Sequence, residues 1–183
     1  IENKRLLEQV HIMVCPGGFS YGDDVAAGRI LANQIKHHLF EVIQKFIADG
    51  KLVLGICNGF QVLVKTGILP GFENGSTNIS EQKVTITNND CGKFEDRWVY
   101  LQPDGDECVF VEPGMGIYLP IAHGEGKIVT EDEQTLKALK AGGHVAFRYV
   151  DEDGAFGDFP VNPNGSMDSI AGLCDKTGRV LGL

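Results

Sequence analysis

Along the chain, short unbroken apolar runs alternate with segments whose apolar residues recur every three or four positions. Val10-His11-Ile12-Met13-Val14-Cys15, closed by Pro16-Gly17-Gly18, has the form of a buried strand entering a turn. From Ala26 to Ala48, residues Leu31, Ile35, Leu39, Val42, Ile43, Phe46 and Ile47 fall on one stripe. That stripe predicts one long amphipathic helix, capped by Asp23 or Asp24 and ended by Asp49-Gly50. Lys51-Leu52-Val53-Leu54-Gly55-Ile56 predicts a second buried strand, without alternation, as in parallel sheets covered on both faces. A short helix after Cys57 carries Phe60, Val62, Leu63 and Val64 and stops at Thr66-Gly67. Strand, long helix, strand and short helix make a βαβα unit, which builds a parallel sheet with right-handed crossovers.

The pattern then changes. Short strands are predicted at 82–88, 94–101, 107–111 and 117–122, a helix at 131–141 and a strand at 144–150. A loop rich in Gly, Pro and Asn spans about 151–167. The chain closes with a hairpin of Ile170–Cys174, a turn at Asp175–Gly178, and Arg179–Leu183. No repeat, low-complexity tract or linker interrupts it, so residues 1–183 read as a single domain.

Composition narrows the function classes. The 183 residues suit one hydrophobic core. Sixteen basic against twenty-five acidic residues give a net charge of −9, which argues against nucleic acid as a partner. No apolar run approaches the ~18–20 residues of a membrane span. Five cysteines without a C-x-x-C pair read as reduced thiols and predict a cytoplasmic protein. The N-x-[ST] matches at Asn74, Asn78 and Asn164 are then chance occurrences. The chain opens at Ile1 and stops within the apolar run Arg179–Leu183, so both ends are expected to be edges of a longer chain.

The sharpest chemical signal is Gly55-Ile56-Cys57-Asn58-Gly59. A cysteine between an apolar strand and a helix, flanked by small residues, is the thiol form of a nucleophile elbow. The helix N-terminus sets partial positive charge beneath the sulfur and favours the thiolate. The backbone N–H of Asn58 then points where an oxyanion would form. The plainer alternative is a buried cysteine in a tight turn. Pro16-Gly17-Gly18-Phe19-Ser20-Tyr21-Gly22-Asp23 can form an anion nest at the carboxyl end of its strand, or a plain turn. His123 and Glu125 in Ala122-His123-Gly124-Glu125-Gly126 project to one face if the segment is extended; a polar loop fits equally. Asn162-Pro163-Asn164-Gly165-Ser166 either covers a site or is a surface turn. His37 and His38 are adjacent, diverge on a helix and read as solvent or groove residues. Asp151-Glu152-Asp153-Gly154 lacks the later ligands of a calcium loop. Cys15, Cys91, Cys108 and Cys174 have no neighbouring ligands and read as structural, and no metal is expected.

Four segments carry a resemblance: G-I-C-N-G-F-Q at 55–61, P-G-G-F-S-Y-G-D at 16–23, A-H-G-E-G at 122–126 and N-P-N-G-S at 162–166. Together they resemble the glutaminase family of phosphoribosylformylglycinamidine synthase, class I (triad) glutamine amidotransferases of purine biosynthesis. The resemblance implies a flavodoxin-like α/β fold: a three-layer α/β/α sandwich, its sheet mostly parallel with antiparallel additions. It implies that Cys57 attacks the side-chain amide of L-glutamine, giving a γ-glutamyl thioester and ammonia, and that water then releases glutamate. Gly18 and Asn58 would supply the oxyanion-hole N–H groups and Gln61 would help hold glutamine. Ammonia would pass to a separate synthetase component (PurL, with PurS where present). ATP and Mg would belong to that partner, and this domain would need no cofactor.

One departure stands out. The family places its triad His and Glu in an M-P-H-P-E stretch after a strand ending in Gly-Leu, and no such stretch occurs here. His123 and Glu125 copy the spacing but belong to a different segment, so they, with Asn164, are candidates only for lining the site. The expectation is that the triad pair lies past Leu183 and the family's first βα unit before Ile1, and that the isolated 183 residues are inactive. A DJ-1/PfpI-like hydrolase is the alternative, although it would place a histidine beside the cysteine, where Asn58 stands. A truncated, non-catalytic module that docks the synthetase is the other.

Overall fold

A computed structural model describes residues 6–19, 28–71, 82–105 and 107–183. The expected caps Asp23 and Asp24, the first two residues of the expected long helix (Ala26 and Ala27), and the matches at Asn74 and Asn78 lie outside the described residues. A short helix α1 (Leu6–Gln9) leads into β1 (Ile12–Cys15), and β2 (Leu52–Gly55) leads into helix α4 (Asn58–Thr66). Between them the single helix read from the apolar stripe is two, α2 (Arg29–His38) and α3 (Phe40–Ala48). They meet at Leu39, whose φ of −127° leaves the helical region while its N–H still bonds the Ile35 carbonyl. Ala32 and Ile35 of α2 and Ile43 and Phe46 of α3 enter the same core, so the stripe passes through the break without a trace.

The remaining strands are β3 (Val84–Thr87), β4 (Glu95–Pro103), β5 (Ile117–His123), β6 (Lys127–Thr130), β7 (Val145–Val150), β8 (Ile170–Cys174) and β9 (Val180–Gly182), with helix α5 (Glu133–Ala141) between β6 and β7. Seven strands form one sheet in the order β1-β2-β9-β8-β7-β4-β5, and β3 pairs with β6 apart from it. β1, β2 and β9 are parallel neighbours, and every later pair is antiparallel. β1, β2, β9, β7 and β5 therefore run one way, and β8 and β4 the other. This is the α/β class expected, with its antiparallel additions.

Two details differ from the sequence reading. Residues 107–111 are not a strand: Cys108 and Val111 are buried against the sheet from a loop, which imitates strand alternation. Strand β6 has no counterpart in that reading, and β3 pairs with it, Val84 opposite Thr130 and Thr87 opposite Lys127.

Every described α-helix contributes to the apolar layer on one side of the sheet, through Leu7, Ala32, Ile43, Leu63 and Leu139. The other side gathers Val99, Leu101, Ile121, Phe147 and Leu181 with Cys108 and Val111, and no helical residue among those described. Asp132 starts α5 by accepting the Thr135 N–H at 2.7 Å, which holds its carboxyl below the usual aspartate range. Asp175 shapes the β8–β9 turn, its Oδ1 accepting the N–H groups of Arg179 and Val180, each at 2.9 Å. That turn sends β9 back beside β2, with Val53 opposite Val180.

Candidate active site

The carboxyl ends of β1, β2 and β9 meet at one place, where open α/β sheets bind ligands. Cys57 sits there between β2 and α4 with φ 50° and ψ −110°, one of three non-glycine residues with positive φ among those described. Such a conformation is strained for an L-residue and marks functional sites. The flanking glycines are required. A Cβ on Gly59 would lie 1.9 Å from the Cys15 carbonyl oxygen, and one on Gly55 would lie 2.6 Å from Leu63 Cδ1. The elbow is therefore pressed between β1 and α4, and only glycine fits.

The turn after β1 lies against the nucleophile. A Cβ on Gly17 would be 3.3 Å from Cys57 Cβ. Gly18 follows with φ 117°, a backbone state that glycine alone adopts readily. Its N–H has no protein hydrogen-bond partner among the described residues. An added Cβ at Gly18 would meet nothing within 4 Å among the described residues. The rest of the candidate nest, from Ser20 to Asp23, lies outside the described residues.

The A-H-G-E-G segment closes the other side. Cys57 Sγ lies 3.9 Å from the Ala122 carbonyl oxygen, its one hydrogen-bond partner among the described residues. Gln61, on the first turns of α4, donates Nε2–H to the Glu125 carbonyl at 2.6 Å and accepts from Asn58 Nδ2 at 3.2 Å. Both ends of the Gln61 amide are thus engaged, and α4 is tied to the segment. The imidazole of His123 packs over Gly126, where a Cβ would lie 2.3 Å from His123 Cε1. Its Nδ1 is buried without a partner among the described residues. Burial outweighs the nearby Glu95 carboxylate and lowers its pKa, so the ring is neutral at pH 7.

Beneath the site lies a network the sequence reading did not resolve. Asn164 is 1% exposed. It donates Nδ2–H to the Gly126 carbonyl at 2.9 Å and to Tyr149 Oη at 3.2 Å, and accepts from Ser166. Burial first, and then the nearby Cys57, raise the Tyr149 pKa and keep the phenol protonated. Asn89 is the other member, 3% exposed and bonded to three residues of the A-H-G-E-G segment. The one available signal for it was an Asn between two polar neighbours at the end of β3, which is indistinguishable from an ordinary turn residue.

The other cysteines divide by exposure. Cys108 and Cys174 are buried, while Cys91 is exposed, its Sγ 3.4 Å from the Glu95 carboxylate. Burial pushes the Cys15 thiol up. No group of three or more His, Cys, Asp or Glu gathers as a metal site among the described residues, and no described helix is long and apolar enough to cross a membrane.

The model of the CobB/CobQ-like glutamine amidotransferase domain family matches residues 1–183. The chain is 43% identical over 185 residues to phosphoribosylformylglycinamidine synthase subunit PurQ of Methanococcus maripaludis, an alignment covering 100% of this chain and 66% of the relative. It is 45% identical over 180 residues to the PurQ subunit of Dehalococcoides mccartyi, covering 97% of this chain and 66% of that one. Among solved structures it is similar to a chain in the structure of PurLQS from Thermotoga maritima, with a TM-score of 0.67 and 32% identity over 94% of this chain and 66% of that one. The chain spans just under two thirds of the length of these relatives.

Proposed function

The chain belongs to the CobB/CobQ-like glutamine amidotransferase domain family, and on that premise we propose that it carries the glutaminase chemistry of a phosphoribosylformylglycinamidine synthase. The observation that carries this reading is Cys57 raised on a positive-φ elbow, with Gly17 against its Cβ and Gly18 next in the chain.

The Cys57 sulfur adds to the side-chain carbonyl carbon of L-glutamine, forming a C–S bond while the carbonyl oxygen takes up the electron pair. The N–H of Gly18 and that of Asn58, first residue of α4, stabilise this oxyanion; one such donor is worth about 10²–10³ in rate. Collapse breaks the C–N bond, and the leaving nitrogen takes a proton and departs as ammonia. The γ-glutamyl thioester is then hydrolysed to glutamate. Gln61 acts by holding α4 to the segment that walls the substrate, and Glu125 and Asn164 belong to that wall and its support.

Proton transfer in these steps is worth roughly 10²–10⁴. We assign it to neither His123 nor Glu125. His123 is a half-buried neutral ring turned onto Gly126, and neither residue bonds the thiol among the described residues. Ammonia is delivered to a synthetase subunit that uses ATP and Mg, in keeping with the PurQ relatives and the PurLQS structure. Such a subunit works in the cytoplasm.

The test is a coupled assay of the natural polypeptide containing residues 1–183 with its synthetase subunit, run on L-glutamine or on ammonium. Cys57→Ala is expected to abolish synthesis from glutamine and leave synthesis from ammonium intact. Equal loss on both nitrogen sources, or on neither, refutes the proposal.

A further inference from the structure

The segment beside Cys57 is short, contains two glycines and has to keep its carbonyls in place; its stiffness therefore comes from outside. Asn89 reaches it at three points. Its backbone N–H donates to the Gly124 carbonyl at 2.9 Å, its Nδ2 to the His123 carbonyl at 2.8 Å, and its Oδ1 accepts the Gly126 N–H at 3.0 Å. The other Nδ2 hydrogen bond, to the Lys93 carbonyl at 2.9 Å, ties Asn89 to the approach of β4. From the opposite side, Asn164 Nδ2 and Ser166 Oγ donate to the Gly126 carbonyl at 2.9 and 3.3 Å. The two are linked through the residue after Asn89, the Asp90 N–H donating to the Asn164 carbonyl at 3.1 Å. The N–H and the C=O of Gly126 are thus both gripped by buried side chains, and the His123 ring occupies the place of the missing Cβ.

We infer that Asn89, with Asn164, is a positioning residue for the glutamine pocket: the pair clamps Gly126 and so fixes the 122–125 backbone against Gln61 and Cys57. The inference rests on the glutaminase reading. Asn89 touches neither the thiol nor substrate; it acts on the wall that contacts both. An amide is suited to the task, because one side chain must donate to one carbonyl of the turn and accept from an N–H three residues later. A carboxylate lacks the donor, and a hydroxyl has neither the span nor both functions in one plane. Asn89 and Asn164 are themselves buried, so an amide group of either left unmatched is costly.

The clamp is separable from the elbow. Cys57 is held through its N–H to Leu183 and by the contact of Gly59 with β1, in neither of which Asn89 takes part. Loss of the clamp therefore weakens capture of a glutamine-shaped reagent and spares the intrinsic reactivity of the thiol.

The experiment compares two alkylating probes on the whole chain: a chloroketone analogue of L-glutamine, whose labelling of Cys57 saturates if a glutamine pocket exists, and iodoacetamide, which needs no pocket. Asn89→Ala and Asn164→Ala are each expected to raise the half-saturation concentration of the chloroketone about tenfold, with the iodoacetamide rate at Cys57 unchanged. The exposed neighbour Asn88, changed to Ala, is expected to behave as wild type. Hydrogen exchange at the Gly126 amide supplies the second measurement. It is expected to speed up in Asn89→Ala, and in the milder Asn89→Ser should the alanine variant fail to fold. A saturable wild type with Asn89 variants that saturate identically overturns the positioning role alone. So does an equal slowing of both probes, or an unchanged Gly126 amide. A wild type that never saturates overturns the glutaminase reading and the positioning role with it.

Discussion

The amide of Cys57 donates to the carbonyl of Leu183 at 2.8 Å, and the amide of Leu183 donates to Gly55 at 3.0 Å. The candidate nucleophile is thereby held by the residue that follows β9, far later in the chain, and the β8–β9 turn built on Asp175 becomes part of the elbow's support. Gly182 makes the approach possible: a Cβ there would lie 2.2 Å from Phe60 Cδ2 and 2.8 Å from Leu69 Cδ1. Gly182→Ala is expected to push α4 from the sheet and to cost about 1–3 kcal/mol, as overpacking does. Urea unfolding measures it, and a variant as stable as wild type contradicts the packing described.

Gly18→Ala separates conformation from crowding. Among the described residues nothing lies within 4 Å of the added methyl, and the cost there is the φ of 117°. An alanine there is strained by about 1–3 kcal/mol, and the loop relieves it by turning the peptide, which takes the N–H off target. Glutamine-dependent synthesis is expected to fall about 10²–10³-fold while the melting temperature changes little. Wild-type rates in the variant remove Gly18 from the oxyanion hole.

His123 sets an acid limit on stability. Its pKa is lowered in the folded chain, mainly by burial, from the ordinary 6.5. The unfolded chain therefore binds this proton first, and stability rises with pH across the window between the two values. The contribution is fully present above about 6.5 and is lost as pH falls through the lowered folded value. His123→Asn is expected to flatten the decline in stability as pH falls below about 6.5, measured by denaturant unfolding. Identical slopes in variant and wild type would show that the folded chain does not hold the ring neutral.

Much of the elbow was legible because its demands are local. Gly55, Cys57 and Gly59 stand at positions where a strand becomes a helix, and the contacts of Gly59 with Cys15 and of Gly55 with Leu63 are what that spacing encodes. The closing hairpin was legible for the same reason, since Asp175 and Gly178 form its turn. The break at Leu39 was not, because the apolar stripe keeps its phase across it. Cys108 and Val111 were misread as strand residues because a loop packed on a sheet alternates too. Asn89 was invisible because its partners lie 34–37 positions away, and no local pattern records a long-range clamp.

The central claim is that Cys57 is a nucleophile addressed to glutamine, and mapping one covalent adduct tests it most directly. Residues 1–183 are treated with the chloroketone analogue of L-glutamine, which needs no proton for its leaving chloride, and the labelled peptide is identified by mass spectrometry. The account predicts a single adduct on the peptide containing Cys57, saturable in reagent, suppressed by L-glutamine and absent in Cys57→Ala. Cys91, the exposed thiol, is expected to react with iodoacetamide but not to compete for this reagent. An adduct on Cys91 in preference to Cys57, or one on Cys57 that L-glutamine does not suppress, would contradict the account.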